Sequence, residues 1–318
     1  MNKLTKEQFI EIRRWVYRNA RPLDIARWRY HFENGGKDDV LNALAAYQNE
    51  DGGFGNALEA DSWNPASSPI TAATAVDILE EIKFRDKKHP IIISLLRYLE
   101  DTPDFNGSYW PALIPSNNDY PHAPWWTLRE NIKEEWGYNP TAKLAGFILR
   151  FAGKDSTIYE KARKIATEAV TKYLSGVTWD NKSYRSVFRE GEITCYHYLL
   201  MSLKEEGITE AGSLSDLEKA LKEQTCQFID RDPSTWNQYC RKPSMFIDSP
   251  DSVFCDGNEA PISEELDFLL SRINKDGVWD ITWDWGAYEK EFAISKNWWK
   301  SNFAILNLLL LKNFNRIV

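Results

Sequence analysis

The chain has little of what marks a membrane, secreted or nucleic-acid-binding protein. Its longest apolar run, 303–311, is interrupted by Asn307, well short of the ~20 residues a bilayer-spanning helix needs. Met1-Asn2-Lys3-Leu4-Thr5 opens no apolar stretch of the kind a secretory signal carries. Lysine and arginine total 39 against 47 aspartates and glutamates, a formal net charge of −8, and a nucleic-acid surface needs the opposite balance. Only four cysteines are present, at 195, 226, 240 and 255, without paired spacing. They read as buried free thiols in a reducing compartment rather than as disulfides or a zinc site. The expectation is a cytoplasmic protein with no membrane span and no nucleic-acid partner. Gly-rich phosphate loops, a Ser-His-Asp order and His-Glu-x-x-His are all missing, so no metal ligands are assigned and no cofactor is named.

What is abundant is tryptophan: 14 in 318 residues, with 43% apolar and 27% charged residues overall. That composition is globular, and a chain of this length buries roughly three-quarters of its surface without staples. Tryptophan needs a partner for its N–H when buried, so this many imply a shared structural or binding task.

The apolar spacing is helical nearly throughout. About twelve helices are predicted, over 5–19, 22–33, 38–48, 70–83, 90–101, 139–152, 157–174, 192–206, 213–228, 251–257, 262–273 and 302–314. Ser68-Pro69, Asn139-Pro140 and Ser249-Pro250 each read as a cap followed by proline at the first helical position. Two kinds of helix alternate. One is amphipathic, as in 160–174 or the Leu214, Leu217, Leu221 stripe. The other is apolar nearly all round, as in 142–149 and 303–311, and such a helix must be enclosed by protein.

The junctions repeat as well. Gln48-Asn49-Glu50-Asp51-Gly52-Gly53-Phe54, Asp104-Phe105-Asn106-Gly107-Ser108-Tyr109-Trp110, Trp179 to Tyr184, Asp230 to Trp236, and Asn274-Lys275-Asp276-Gly277-Val278-Trp279 each follow an amphipathic helix. Asp/Asn-Gly supplies a turn with positive φ, and the aromatic after it makes a hydrophobic stop beyond the helix end. Twelve helices as six hairpins is the number that closes an all-α (α/α)6 toroid, expected as a single domain over 1–318 with short irregular or β-like loops.

The string Gln48-x-x-Asp51-Gly52-Gly53-Phe54 resembles the Q-x-x-D-G-G-F/W signature of the terpenoid cyclase and protein prenyltransferase superfamily, and Asp276-Gly277-Val278-Trp279 repeats its second half. The resemblance implies an α/α toroid with an enclosed substrate site. The superfamily's chemical motifs are not here: no Asp-x-Asp-Asp, no Asp-Asp-x-x-Asp, no Asp-x-Cys with a distant histidine.

Three strings are candidates for chemistry. Glu59-Ala60-Asp61-Ser62-Trp63 sets two carboxylates beside an indole, an acid/base or sugar-binding pattern. Pro121-His122-Ala123-Pro124-Trp125-Trp126 is a stiff aromatic wall with a polar tip, extended by Trp136. Trp279 to Trp285 alternates as a short strand would, with Trp279, Trp283 and Trp285 on one face and Asp280 and Asp284 interleaved with them, where an acid between aromatics acquires a raised pKa. Glu59, Asp61 and Asp284 are thus the candidate catalytic residues, and Trp63, His122, Trp125, Trp126, Trp136, Trp283 and Trp285 the candidate ligand-binding ones. The partner expected is a small molecule or glycan. An isoprenoid suits an apolar lumen. A carbohydrate suits tryptophan beside carboxylates, as in (α/α)6 hydrolases and lyases, which need two carboxyls about 5–5.5 or 6.5–9.5 Å apart. The same toroid without catalysis would be a ligand- or protein-binding module.

Overall fold

The helix-start signals in the sequence are used as helix starts. In the computed structural model, which describes residues 2–129, 137–175 and 189–318, Thr5 and Gln8 close a reciprocal capping box. The Ser68 hydroxyl accepts the Thr71 N–H, with Pro69 at the first helical position. The His89 ring accepts the Ile91 N–H ahead of Pro90. Each satisfies a backbone donor that a helix N-terminus leaves open.

Eleven α-helices lie among the described residues: α1 Lys6–Asn19, α2 Pro22–Phe32, α3 Lys37–Ala45, α4 Pro69–Glu81, α5 Pro90–Asp101, α6 Thr141–Phe151, α7 Thr157–Ser175, α8 Arg189–Glu205, α9 Leu214–Phe228, α10 Glu259–Ser271 and α11 Glu289–Asn313. The described residues form no strand, only isolated bridges. The protein is all-α. None of the described helices is long and apolar enough to cross a membrane.

The chain divides into two compact units, 1–43 with 222–318, and 44–221, and the division runs through α3 and α9. The second unit, 44–221, is built around α6, which packs on α4, α7 and α8. All eleven α6 residues are buried, as an all-round apolar helix requires. Even Lys143 and Arg150 are covered, and they are answered by Asp77 and by Glu80 with Glu205. α7 shows the other kind of helix, with one buried stripe through Ile158, Ala162, Ile165, Ala169 and Tyr173.

In the first unit α11 packs on α1 and α2. The termini are stitched together there, Leu4 donating to the Arg316 carbonyl at 2.8 Å and Val318 to the Leu4 carbonyl at 3.1 Å.

Several expectations are corrected. Residues 251–257 form turns, not a helix, and Ser249-Pro250 opens none. The last helix starts at Glu289, thirteen residues before the expected 302, because Asn297-Trp298-Trp299-Lys300 lie within it rather than ahead of it. It is not enclosed all round either: Leu306 is exposed. Asn139 does not cap α6, whose N-cap is Pro140. Residues 279–285 are irregular instead of a strand. Trp279 there turns back to donate to the Leu269 carbonyl at 2.8 Å, which breaks the alternation on which the shared face depended.

The expected aromatic stops are realised. Trp110 donates its indole N–H to the Leu99 carbonyl at 3.1 Å, in the last turn of α5. Trp279 does the same at the end of α10. Both indoles are buried, so each turn plugs a helix end with an apolar body; Trp110 answers an orphan carbonyl at Leu99, and Trp279 shares the Leu269 carbonyl with the Arg272 N–H. The string 179–184 lies outside the described residues.

Candidate functional site

The candidate site of the 44–221 unit is built on the loop between α3 and α4. It begins with the glycine turn. Gly52 has φ +93°, and a Cβ there would stand 2.0 Å from the Ser94 carbonyl oxygen, so only glycine fits. The Gln48 amide donates to the Gly52 and Ile91 carbonyls at 2.9 and 3.1 Å, pinning the turn to the start of α5. Asp51 accepts from Gly53 N and from the Ser67 hydroxyl, at 2.9 and 2.7 Å. Phe54 is fully buried. Every conspicuous residue of the signature is thus spent on holding the loop.

Beyond the turn the backbone is strained. Asn56 and Ala57 have φ of +55° and +60°, a region that costs a non-glycine residue about 1 kcal/mol or more. The strain delivers Glu59 and Asp61 into the protein, 9% and 3% exposed. Glu59 Oε1 accepts the Asp61 N–H at 3.2 Å.

This segment then meets the proline-rich string. Ser62 and His122 form an antiparallel bridge. Trp63 N donates to the Pro121 carbonyl at 2.9 Å, and Ala123 N to the Asp61 carbonyl at 2.8 Å. Asn64 donates to Ser116 Oγ and Asn117 Oδ1 at 2.8 and 2.9 Å, and Asn117 donates to the Trp126 carbonyl at 3.2 Å. His122 Nδ1 donates to the Tyr120 carbonyl at 2.6 Å. That bond places the proton on Nδ1, so in the neutral ring Nε2 accepts from the Thr127 hydroxyl at 2.9 Å. Two strings that the sequence separates by some sixty residues are therefore one constellation: Glu59, Asp61, Trp63, His122, Trp125 and Trp126. His122 and Trp126 are buried, and Trp63 and Trp125 are half-buried.

The chain matches no protein-family model, no curated protein and no solved structure. The site has to be read from its own geometry.

The remaining candidates are placed differently. Trp136 lies outside the described residues. Asp284, Trp283 and Trp285 belong to the other unit. Asp284 is exposed, and its carboxylate accepts the Gly286 N–H at 2.7 Å, closing its own bend. Trp285 is buried, 5.6 Å from Phe292. Trp283 sits edge-on to Trp299 at 5.3 Å and to Phe303 at 5.7 Å. A carboxyl held above its ordinary range occurs instead at Asp104, which the sequence marks only as part of a turn. Burial pushes its carboxyl up, Thr102 opposes the shift by hydrogen bonding, and the charge of Asp51 adds to it. The adjacent Phe105 ring lies 4.9 Å from Trp110. Asn64, Asn117 and Thr127, which orient the loops, were also missed. Asn64-Pro65 was the one signal for them, since asparagine before proline marks a turn whose side chain bonds locally.

The buried cysteine and histidine of α8 are poor reactive groups. Burial pushes the Cys195 thiol up to about 12, only partly offset by Lys143, and lowers His197 to about 3. Among the described residues, no group of three histidine, cysteine, aspartate or glutamate side chains is placed to hold a metal ion.

Proposed function

We propose that this chain is an enzyme, or derives from one, that takes a small-molecule substrate at the paired loops 59–64 and 115–127, with Glu59 and Asp61 as acid/base groups. The observation that carries the reading is the Ser62–His122 bridge. It joins along the backbone the loop that carries Glu59, Asp61 and Trp63 to the loop that carries His122 and Trp126, next to strained backbone at Asn56 and Ala57. Buried acids beside aromatics suit proton transfer to an apolar substrate, and strain of this kind concentrates at functional sites.

The resemblance of 48–54 to the terpenoid cyclase and prenyltransferase signature puts an isoprenoid first. With it goes the proposal that the helices complete an (α/α)6 toroid, supported by the recurring turn-plus-tryptophan helix ends. A carbohydrate is the second reading. It is favoured by the polar surround of the acids, where Ser62, Asn64, Asn117 and His122 are all buried. The other candidates, Asp284, Trp283 and Trp285, follow the second turn, 274–279, and are given no role in this proposal.

A thermal-shift screen tests the reading, using prenyl diphosphates with magnesium in one arm and neutral and acidic oligosaccharides in the other. A true ligand raises the melting temperature by mass action, worth about 2.7 kcal/mol at a hundred times its Kd. The expected result is a shift that disappears in Trp126→Ala, while Glu59→Gln and Asp61→Asn keep binding and lose turnover. Absence of any shift in both arms overturns the enzymatic reading in favour of a non-catalytic module.

A further inference from the structure

The helices α1 and α2 belong to the unit of 1–43 and 222–318, not to the one that carries the loops 59–64 and 115–127. Phe9 of α1 packs on Trp28 and Phe32 of α2, with ring centres 5.4 and 5.9 Å apart. Trp28 is fully buried, and its indole N–H donates to Glu33 Oε1 at 2.8 Å, just past the end of α2. Two more donors reach that carboxylate: Arg13 Nε at Oε1 and the Tyr17 hydroxyl at Oε2, each at 2.5 Å. Arg29 Nε in turn donates to the Tyr17 hydroxyl at 3.2 Å. The guanidinium carbons of Arg13 and Arg29 lie 4.8 and 5.6 Å from the centre of the one Tyr17 ring.

Each of these arginines is held by its inner nitrogen alone. The terminal nitrogens of both donate to nothing among the described residues. Both residues are exposed, Arg13 with 47% of its side chain open to solvent. A guanidinium keeps its charge at any ordinary pH, and its terminal nitrogens form a planar fork that matches an oxyanion. Two such forks therefore stand beside one ring, fixed at Nε and unused at their ends. A single carboxylate, Glu33, answers the two positive charges, and its oxygens already accept three bonds. The charge of Asp39 also reaches Arg29, but no hydrogen bond joins them; the Asp39 carboxylate accepts the Gly36 N–H instead.

We propose that Arg13 and Arg29 bind a terminal phosphate dianion, free or as the monoester of a small molecule. Each fork can give two parallel N–H bonds, and a phosphate monoester offers three unesterified oxygens to receive them. Its two charges match the two guanidiniums. A carboxylate brings one charge and two oxygens, enough for one fork only. A sulfate monoester has the shape of the phosphate and one charge fewer.

Isothermal titration calorimetry on the full chain decides it, with phenyl phosphate, phenyl sulfate, benzoate and inorganic phosphate as probes. At about pH 8 a phosphate monoester carries close to two charges. Phenyl phosphate is expected to bind about tenfold more tightly than phenyl sulfate or benzoate. Inorganic phosphate binding as tightly as phenyl phosphate assigns the site to the free ion, and weaker binding assigns it to an ester. Arg13→Gln and Arg29→Lys should each cost about tenfold, the second because lysine keeps the charge and loses the fork. Arg14→Gln removes the same charge from the neighbouring arginine, which is paired with Glu11, and should cost less than about twofold. Arg29 makes one side-chain bond, to Tyr17, so Arg29→Lys should leave the unfolding midpoint unchanged and is decisive whether or not Arg13→Gln loosens α1. The proposal falls if neither phosphate binds, or if phenyl sulfate binds as tightly as phenyl phosphate. It falls equally if Arg29→Lys keeps full affinity, or if Arg14→Gln costs as much as Arg13→Gln.

Discussion

The turn at 48–54 and the turn at 274–279 share one backbone plan. In the first, Asn49 N donates to the Gly53 carbonyl and Gly52 N to the Asn49 carbonyl, at 2.8 and 2.9 Å. In the second, Asn274 N donates to the Val278 carbonyl and Gly277 N to the Asn274 carbonyl, at 2.9 and 3.0 Å. Their surroundings differ. Gly52 is pressed against the Ser94 carbonyl and clamped by Gln48. A Cβ on Gly277 meets its nearest neighbour, Glu11 Cβ, only at 3.2 Å. The first turn leads through strained residues to two buried acids. The second leads through Asp280, held by Lys300 at 2.9 Å, to an exposed Asp284. One turn motif thus serves two ends, and its glycine and aromatic mark a way of closing a helix end rather than a reaction.

The glycines separate the two turns most sharply. Gly52→Ala should destabilise the protein by about 3 kcal/mol or more, since φ +93° and a backbone clash coincide. Gly277→Ala carries the positive-φ penalty and a tight but yielding contact with Glu11 Cβ, about 1–2 kcal/mol in all. Equal losses in urea titrations would mean that contact with α5 is not what distinguishes the first turn.

The tryptophan stops should look alike. Trp110→Phe and Trp279→Phe keep most of the apolar body and remove the bond to the Leu99 or Leu269 carbonyl. About 1–2 kcal/mol is expected from each. A loss confined to one of them would break the equivalence of the two helix ends.

The smallest effect is in pH. Glu265, fully buried on α10, accepts from Ser244 N and Oγ at 2.7 and 2.6 Å, and burial pushes its carboxyl above the usual range despite those bonds. The folded state therefore holds a proton that the unfolded state releases near the ordinary glutamate value of about 4.3. Stability from this source is present below that value and lost as pH rises through the raised one. Glu265→Gln should flatten that slope by about 1.4 kcal/mol per pH unit at most. Asp104→Asn in the other unit should flatten a shallower slope of the same sign, because Asp104 is only half-buried. A steeper effect at Asp104 would reverse the comparison.

Much of the helical layout was legible in the residues. Ser68-Pro69 capped as read, α6 was enclosed as its all-round apolar sequence demanded, and the tryptophans after 99 and 269 stopped their helices. The failures share a cause. Residues 251–257 and 279–285 carry patterns too short to choose a state by themselves, and local bonds chose it. Trp279 follows a carbonyl rather than a strand register, and Cys255 N bonds to the Ser252 carbonyl at 2.9 Å in a turn. Of the candidate site, Glu59, Asp61 and His122 were visible as unusual residues. Their meeting was not, since it depends on a bridge between distant loops.

Sequence alone determined the all-α class, because helical periodicity, caps and turn residues act over a few neighbouring positions. It also determined the glycine turns, where a positive φ favours glycine and, at Gly52, no Cβ fits. Tertiary structure decided which polar groups end up together. Ser62 beside His122, and Lys143 against Asp77, are pairings between residues far apart in the chain. Nothing in the spacing of a sequence encodes such proximity; it arises only when buried surfaces are packed and each enclosed donor finds, or fails to find, its acceptor.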